Sequence, residues 1–149
     1  MRYAIFSDVH GNLEAFEAVL QAARSERIDA YICAGDIVGY GANPNECIDL
    51  ARSVGAATVA GNHDWAVVEM FTSEDFNPEA QAAVKWTPAK LTDSSKKYLS
   101  SLSLVREDQE LAIVHGSLDV PQDFHFLVNV HNCGATFDLL QRPVCFIGH

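Results

Sequence analysis

Hydrophobic and polar positions alternate with two periods along this chain. Tyr3 to Phe6 is a short apolar run of β-forming residues, which predicts a buried strand. Leu13, Phe16, Val19, Leu20 and Ala23 then recur at helical spacing, with Glu14, Glu17, Gln21 and Arg24 on the opposite side, so an amphipathic helix follows. Ala30 to Ala34 is the second strand. Gly39 to Pro44 has loop composition, with Asn43 placed as an N-cap and Pro44 at the first helical position. A helix carrying Cys47, Ile48 and Ala51 ends at Gly55, and Ala57 to Ala60 returns as a third strand. Strand, helix, strand, helix, strand is the pattern of parallel crossovers, which bind ligands beyond the carboxyl ends of their strands.

The middle of the chain reads as a helical insertion that covers the site or an outer face. Trp65 to Phe71 predicts a short helix, Pro78 opens another through Trp86 before Pro88 breaks it, and Thr92 or Asp93 caps a third through Leu102. Leu104-Val105 and Leu111 to Val114 flank Glu107-Asp108-Gln109-Glu110, the pattern of an antiparallel hairpin. Leu118 to Val130 reads as loop with room for a short strand. Asn132 to Leu140 predicts a helix, and Val144 to Ile147 a last buried strand.

With 149 residues, 48% hydrophobic and 20% charged, the chain is read as one globular domain over residues 1–149. Ten Lys plus Arg stand against twenty Asp plus Glu, and the net charge of −10 disfavours a nucleic-acid polymer as partner. Bound divalent cations would reverse that field locally, so a small anionic substrate remains compatible. Cys33, Cys47, Cys133 and Cys145 show no metal-finger spacing and read as free thiols. No apolar run is long enough for a leader or a membrane span, so no membrane partner is expected and the cytoplasm is the expected location.

Chemistry enters where the apolar runs end. Ser7-Asp8-Val9-His10, Gly35-Asp36, Gly61-Asn62-His63-Asp64, His115-Gly116 and Gly148-His149 each follow a strand-like run. Groups of this kind cost free energy when desolvated without partners, so their repetition points to one site along one sheet edge. Mixed oxygen and imidazole donors without thiolate suit Mn, Fe, Zn, Co or Ni. Asp8 and His10 fall on one side of an extended segment and can share an ion, and Asp36 can bridge two. Two ions about 3.5–4 Å apart are the recurring arrangement for phosphoryl-ester hydrolysis. Asp64 reads as a local hydrogen-bonding partner, His125 and His131 as ordinary polar residues, and Tyr31, Tyr40, Trp65 and Trp86 as packing residues.

These motifs, in this order and spanning the whole chain, resemble those of the calcineurin-like metallophosphoesterase superfamily. The resemblance implies an α/β fold, a four-layer α/β/β/α sandwich, and a cofactor of two divalent transition-metal ions, of which Mn is favoured. It assigns Asp8, His10 and Asp36 to the first ion, together with the second His of a Gly-His-x-His motif that this chain does not reach, and Asp36, Asn62, His115 and His149 to the second. His63 matches the family's non-ligand histidine, which protonates the leaving oxygen or stabilises the charge on it, and Asn12 is assigned to substrate binding. The reaction implied is hydrolysis of a small phosphorylated substrate, expected to be a phosphodiester, by in-line attack of a hydroxide between the ions. The stretch Gly35-Asp36-Ile37-Val38-Gly39-Tyr40-Gly41 lacks the second Asp and the Arg of the Ser/Thr protein phosphatases, so it resembles the small bacterial and archaeal phosphodiesterase branch. Gly148-His149 matches the start of a Gly-His-x-His motif, so the closing strands of the second sheet are expected beyond this chain. A protein-binding scaffold of the same fold is the alternative reading; no protein partner can be named.

Overall fold

The structure, a computed structural model, describes residues 1–149. Its first half follows the crossover pattern closely. Strand β1 (Tyr3–Phe6), helix α1 (Leu13–Arg24), strand β2 (Ala30–Cys33), helix α2 (Pro44–Ser53) and strand β3 (Ala57–Thr58) form a three-stranded parallel sheet in the order β1-β2-β3. The register is set by Tyr3 opposite Ala30 and Ile32 opposite Ala57. Asn12 starts α1 by accepting the Ala15 N–H at 3.1 Å. Asn43 stands at the N-cap of α2 with Pro44 behind it, yet its side chain accepts no backbone bond there.

Period two in β2 explains the layers. Cys33 points into a helix-facing core with Phe16, Leu20, Ile48 and Ala51, whereas Ile32 and Ala34 face the second sheet through Val59, Leu111 and Ile113. That second sheet holds β4 (Val105–Glu107), β5 (Leu111–Val114) and β6 (Val144–Phe146) in the order β4-β5-β6. Its β4–β5 pair is the expected antiparallel hairpin, turned by Asp108, whose carboxylate accepts the N–H groups of Glu110 and Leu111. Strands β5 and β6 pair in parallel, and α6 (Val130–Leu139) is their crossover helix. Helices, sheet, sheet and helix are thus the layers expected of the α/β/β/α sandwich. No helix is long and apolar enough to cross a membrane.

Four expectations need correction. Strand β3 is shorter than Ala57–Ala60, because Val59 bridges to Ser103 and the Ala60 N–H bonds the Ser103 carbonyl instead. The helix expected over Trp65–Phe71 is α3, Asn62–Ala66; the Asp64 carboxylate reaches back to the Gly61 N–H and starts it inside the motif. Glu69, at φ 62°, prevents its continuation to Phe71. Strands β1 and β6 are not fully buried: Ile5 and Val144 are 40% and 39% exposed, since each belongs to an edge strand. Between β5 and α6 there is a single helical turn at Pro121–Asp123 and no strand. Helices α4 (Pro78–Trp86) and α5 (Asp93–Ser100) lie where the spacing places them, capped by Asn77 and Thr92.

Candidate metal centre

All five strand-end motifs meet in one place. The loop after β1 is laced to the loop after β2 by backbone bonds from the N–H groups of Asp8, His10 and Gly11 to the carbonyls of Gly35, Asp36 and Ile37, at 2.8–3.0 Å. Those bonds bring Asp8 and His10 beside Asp36. The end of β6 is tied to the end of β5 by the Gly148 N–H on the His115 carbonyl at 2.9 Å. The two sheets are then joined across the site by the His149 N–H on Asp8 Oδ2, at 3.1 Å.

Asp36 is the centre of this arrangement. It is buried, and its Oδ1 accepts the His63 N–H at 2.9 Å, which fixes the carboxylate plane. Its Oδ2 is faced by two imidazoles: His115 Nε2 at 3.4 Å and His10 Nε2 at 3.8 Å. Both rings are held from behind. His115 Nδ1 lies 2.6 Å from the Ala34 carbonyl and His10 Nδ1 3.2 Å from the Val38 carbonyl. A carbonyl only accepts, so Nδ1 carries the hydrogen in each and Nε2 is the atom aimed at Asp36. Asn62 adds its Oδ1, 3.0 Å from His115 Nε2. Asp8 Oδ1 lies 3.7 Å from His10 Nε2 on the other side.

The backbone is shaped for this convergence. Asp8, His10, Asp36 and His149 all have left-handed φ, at 55°, 52°, 54° and 73°. Such conformations cost free energy for non-glycine residues and persist where the surroundings enforce them. Asp64 supplies part of that enforcement. Fully buried, it accepts the N–H groups of Asp36 at 2.8 Å, Val38 at 3.1 Å and Gly61 at 3.1 Å, so one carboxylate pins the loops after β2 and β3 together. It is a hydrogen-bonding partner and aims no oxygen at the cluster. Gly61 is required by close approach: a Cβ there would overlap Asp36 Oδ1 and the Asp36 backbone nitrogen, and would sit 2.6 Å from Asp36 Cγ.

Electrostatics follow from burial and these contacts. Burial alone would raise the Asp36 carboxyl and lower His115, but their mutual attraction reverses both: Asp36 is held below the usual carboxylate range and His115 is drawn up to about 9. Burial and the charge on His115 push His149 down to about 4. Burial also lowers His63, with Asp36 opposing. Burial and the Asp36 charge push Asp64 up to about 7, against the pull of the Val38 and Gly61 N–H groups.

Donor atoms of Asp36, His115 and His149 lie within 4.8 Å of one another, and so do those of His10, Asp36 and His63. The two groups share Asp36. Carboxylate, amide and imidazole donors without a thiolate fit divalent transition metals. Every residue expected to hold metal is therefore brought to one site. Asp8 lies at its edge, outside both groups, and His63 stands inside one of them. Asn12 caps α1 and lies outside the cleft above the donors, in a neighbouring groove that it lines with Asp8, His10 and Tyr40.

A cleft of about 550 Å³ opens above these donors. Its walls come from the chain after α3, with Phe71 and Phe76, from the loop before α6, with Phe124 and Phe126, and from the loop after β2, with Tyr40. Tyr40 is 48% exposed here, so it lines the cleft and is not a core packing residue as expected. The four phenylalanines of the wall carry no periodic signal in the sequence. The available signal was compositional: four of the eight phenylalanines fall in two short irregular segments, 71–76 and 124–126.

A family model described as calcineurin-like phosphoesterase matches residues 1–145. The chain belongs to this family. Among relatives of known sequence, it is 36% identical over 155 residues to an uncharacterized protein of Methanocaldococcus jannaschii, covering 98% of this chain and 60% of that protein. Among solved structures, it is similar to a metallophosphoesterase from Sphaerobacter thermophilus, with 41% identity and a TM-score of 0.86, covering 100% of this chain and 60% of that one. A hypothetical protein from Pyrococcus horikoshii shares the fold, with 23% identity and a TM-score of 0.75, covering 91% of this chain and 64% of that one. The calcineurin-like chain described here thus spans about three fifths of the length of these relatives.

Proposed function

We propose that the protein hydrolyses small phosphoesters, phosphodiesters in preference to monoesters, at a centre of two divalent metal ions. The observation that carries this reading is Asp36 Oδ2, a buried carboxylate oxygen faced by imidazole nitrogens from both sheets. On one side His10 and Asp8 would hold the first ion with Asp36. On the other, Asn62, His115 and His149 would hold the second, and Mn²⁺ is the ion to load first. When bound, such a pair supplies a nucleophile at neutral pH and polarises the phosphate oxygens.

The protein's own groups do the rest. The carbonyls of Ala34 and Val38 fix the two imidazoles, and the His63 N–H holds Asp36 in plane, so the donors are ordered before substrate arrives. In-line displacement forms one P–O bond from water and breaks the bond to the alcohol, whose oxygen needs a proton. His63 would give it. Its Nδ1 is buried without a partner in the chain, and the ring lies beside His10 at the base of the cleft. The cleft lining contains no Lys or Arg. A monoester dianion would find no side-chain cation for its second charge, which favours the singly charged diester.

The test is hydrolysis of a generic aryl phosphodiester and the matching monoester by metal-stripped full-length protein refilled with Mn²⁺. Turnover only with metal, faster on the diester, and reduced about a hundredfold or more in His63→Ala with metal content unchanged is expected. Metal-independent turnover, or His63→Ala at full rate, would refute the assignment.

A further inference from the structure

Resting on the reading of His63 as the acid, we infer that the wall beside it is a seat for a planar aromatic leaving group. The preferred substrate is then a phosphodiester with a single phosphate, one of whose alcohols is aromatic.

Two rings flank His63 on the cleft side. Phe76 lies 4.8 Å from it, centroid to centroid, and Tyr40 5.1 Å, both tilted by about the angle of neighbouring pages in a half-open book. Tyr40 also meets His10 edge-on at 4.9 Å. The Asn77 amide donates to Tyr40 Oη at 3.1 Å, which anchors an otherwise half-exposed ring. Apolar rings that leave a protein surface half open and rigid are a receptor for another ring. A proton given by His63 must go to the departing oxygen, so whatever carries that oxygen passes between these rings. The bond broken is phosphorus to aryl or arylmethyl oxygen, the bond formed is phosphorus to water oxygen, and the released alcohol takes the His63 proton.

Backbone geometry keeps the seat open. Gly39, at φ 141°, runs under both imidazoles, and a Cβ there would overlap His10 Nδ1 and lie 3.0 Å from His63 Nδ1. The close approach lets Tyr40, the next residue, reach the cleft. Charge limits what else can enter. Asp75 and Asp123 stand on the cleft lining, which holds no Lys or Arg, so a chain of further phosphates would meet these carboxylates with no ammonium or guanidinium to offset them.

The experiment compares the methyl monoesters of phenylphosphonate and cyclohexylphosphonate, singly charged like a diester and with P–C bonds that resist hydrolysis, by calorimetry on Mn²⁺-loaded full-length protein at neutral pH. The two differ in the flatness of the ring and little in size. The seat predicts the phenyl compound binding about threefold to tenfold tighter. It predicts that Tyr40→Leu and Phe76→Leu bring this ratio towards one with metal content unchanged. Phe126→Leu should keep the ratio, because that ring stacks on His149, at 3.7 Å, on the other side of the cleft. Equal binding of the two phosphonates would overturn the seat and leave the phosphoesterase reading standing. A preference that survives both Tyr40→Leu and Phe76→Leu would overturn the assignment to this wall. Binding of neither phosphonate would overturn the seat, and if the generic diester is not turned over either, the function falls with it.

Discussion

Replacing Gly61 by alanine tests whether close approach at the strand ends builds the site. Gly61 has φ −98° and ψ 169°, an extended conformation open to any residue, so the substitution carries no backbone penalty. Its whole effect is steric. The added methyl would overlap Asp36 Oδ1 and the Asp36 amide nitrogen, and the amide is already bonded to Asp64 at 2.8 Å. Neither neighbour is the free end of a flexible chain. The loops after β2 and β3 would have to part, at a cost of about 3 kcal/mol, the upper part of the range for overpacking. For a domain of this length that lowers Tm by roughly 6–12 °C. Because Asp36 itself must move, the affinity for Mn²⁺ should fall as well. Gly134→Ala is the matching control: it lies in α6, and a Cβ there meets nothing within 4 Å. That change should stabilise the protein by about 0.5–1 kcal/mol through lower chain entropy and better helix propensity. Thermal unfolding and Mn²⁺ titration of the two variants side by side decide the matter. Gly61→Ala with the natural Tm and natural metal affinity would refute the close-packing account.

Two other predictions follow from buried groups. Asp64→Ala leaves the N–H groups of Asp36, Val38 and Gly61 without their acceptor, and a net loss of about 2 kcal/mol is expected after relief of the buried charge; urea unfolding with an unchanged midpoint would contradict it. Burial raises the Cys33 thiol strongly and pushes Cys47 up to about 12, so both should resist alkylation at neutral pH while the partly exposed Cys133 reacts. Mass spectrometry after brief iodoacetamide treatment should place the first adduct on Cys133, and early modification of Cys47 would show that the core of α2 is open.

Much of this protein is written in its hydrophobic periods, and the exceptions are instructive. The first parallel sheet was legible because β1, β2 and their crossover helices obey simple spacing, and Gly55 and Pro44 punctuate it. The donors were legible because each follows an apolar run directly. What spacing cannot reveal is aim. Nothing in the string shows that Asp36 turns Oδ1 to the His63 N–H and leaves Oδ2 to two rings, because that depends on left-handed backbone at Asp36 and on Asp64 from another loop. The start of α3 was hidden for the same reason, since Asp64 caps it through a contact invisible to helical periodicity. The aromatic walls were missed because Phe71, Phe76, Phe124 and Phe126 lie in irregular segments, where neither a period of two nor one of 3.6 assigns a facing.

Metal stoichiometry of Asp36→Asn against the natural protein tests most directly the proposal that one oxygen of Asp36 would serve both metal positions. Mn²⁺ titration of the stripped full-length protein should give two ions per chain, and the variant, which keeps the side-chain shape but loses the charged bridging oxygen, should bind neither tightly. Two ions bound by Asp36→Asn with natural affinity, or one ion lost while the other is untouched, would show that the two sites do not share this carboxylate.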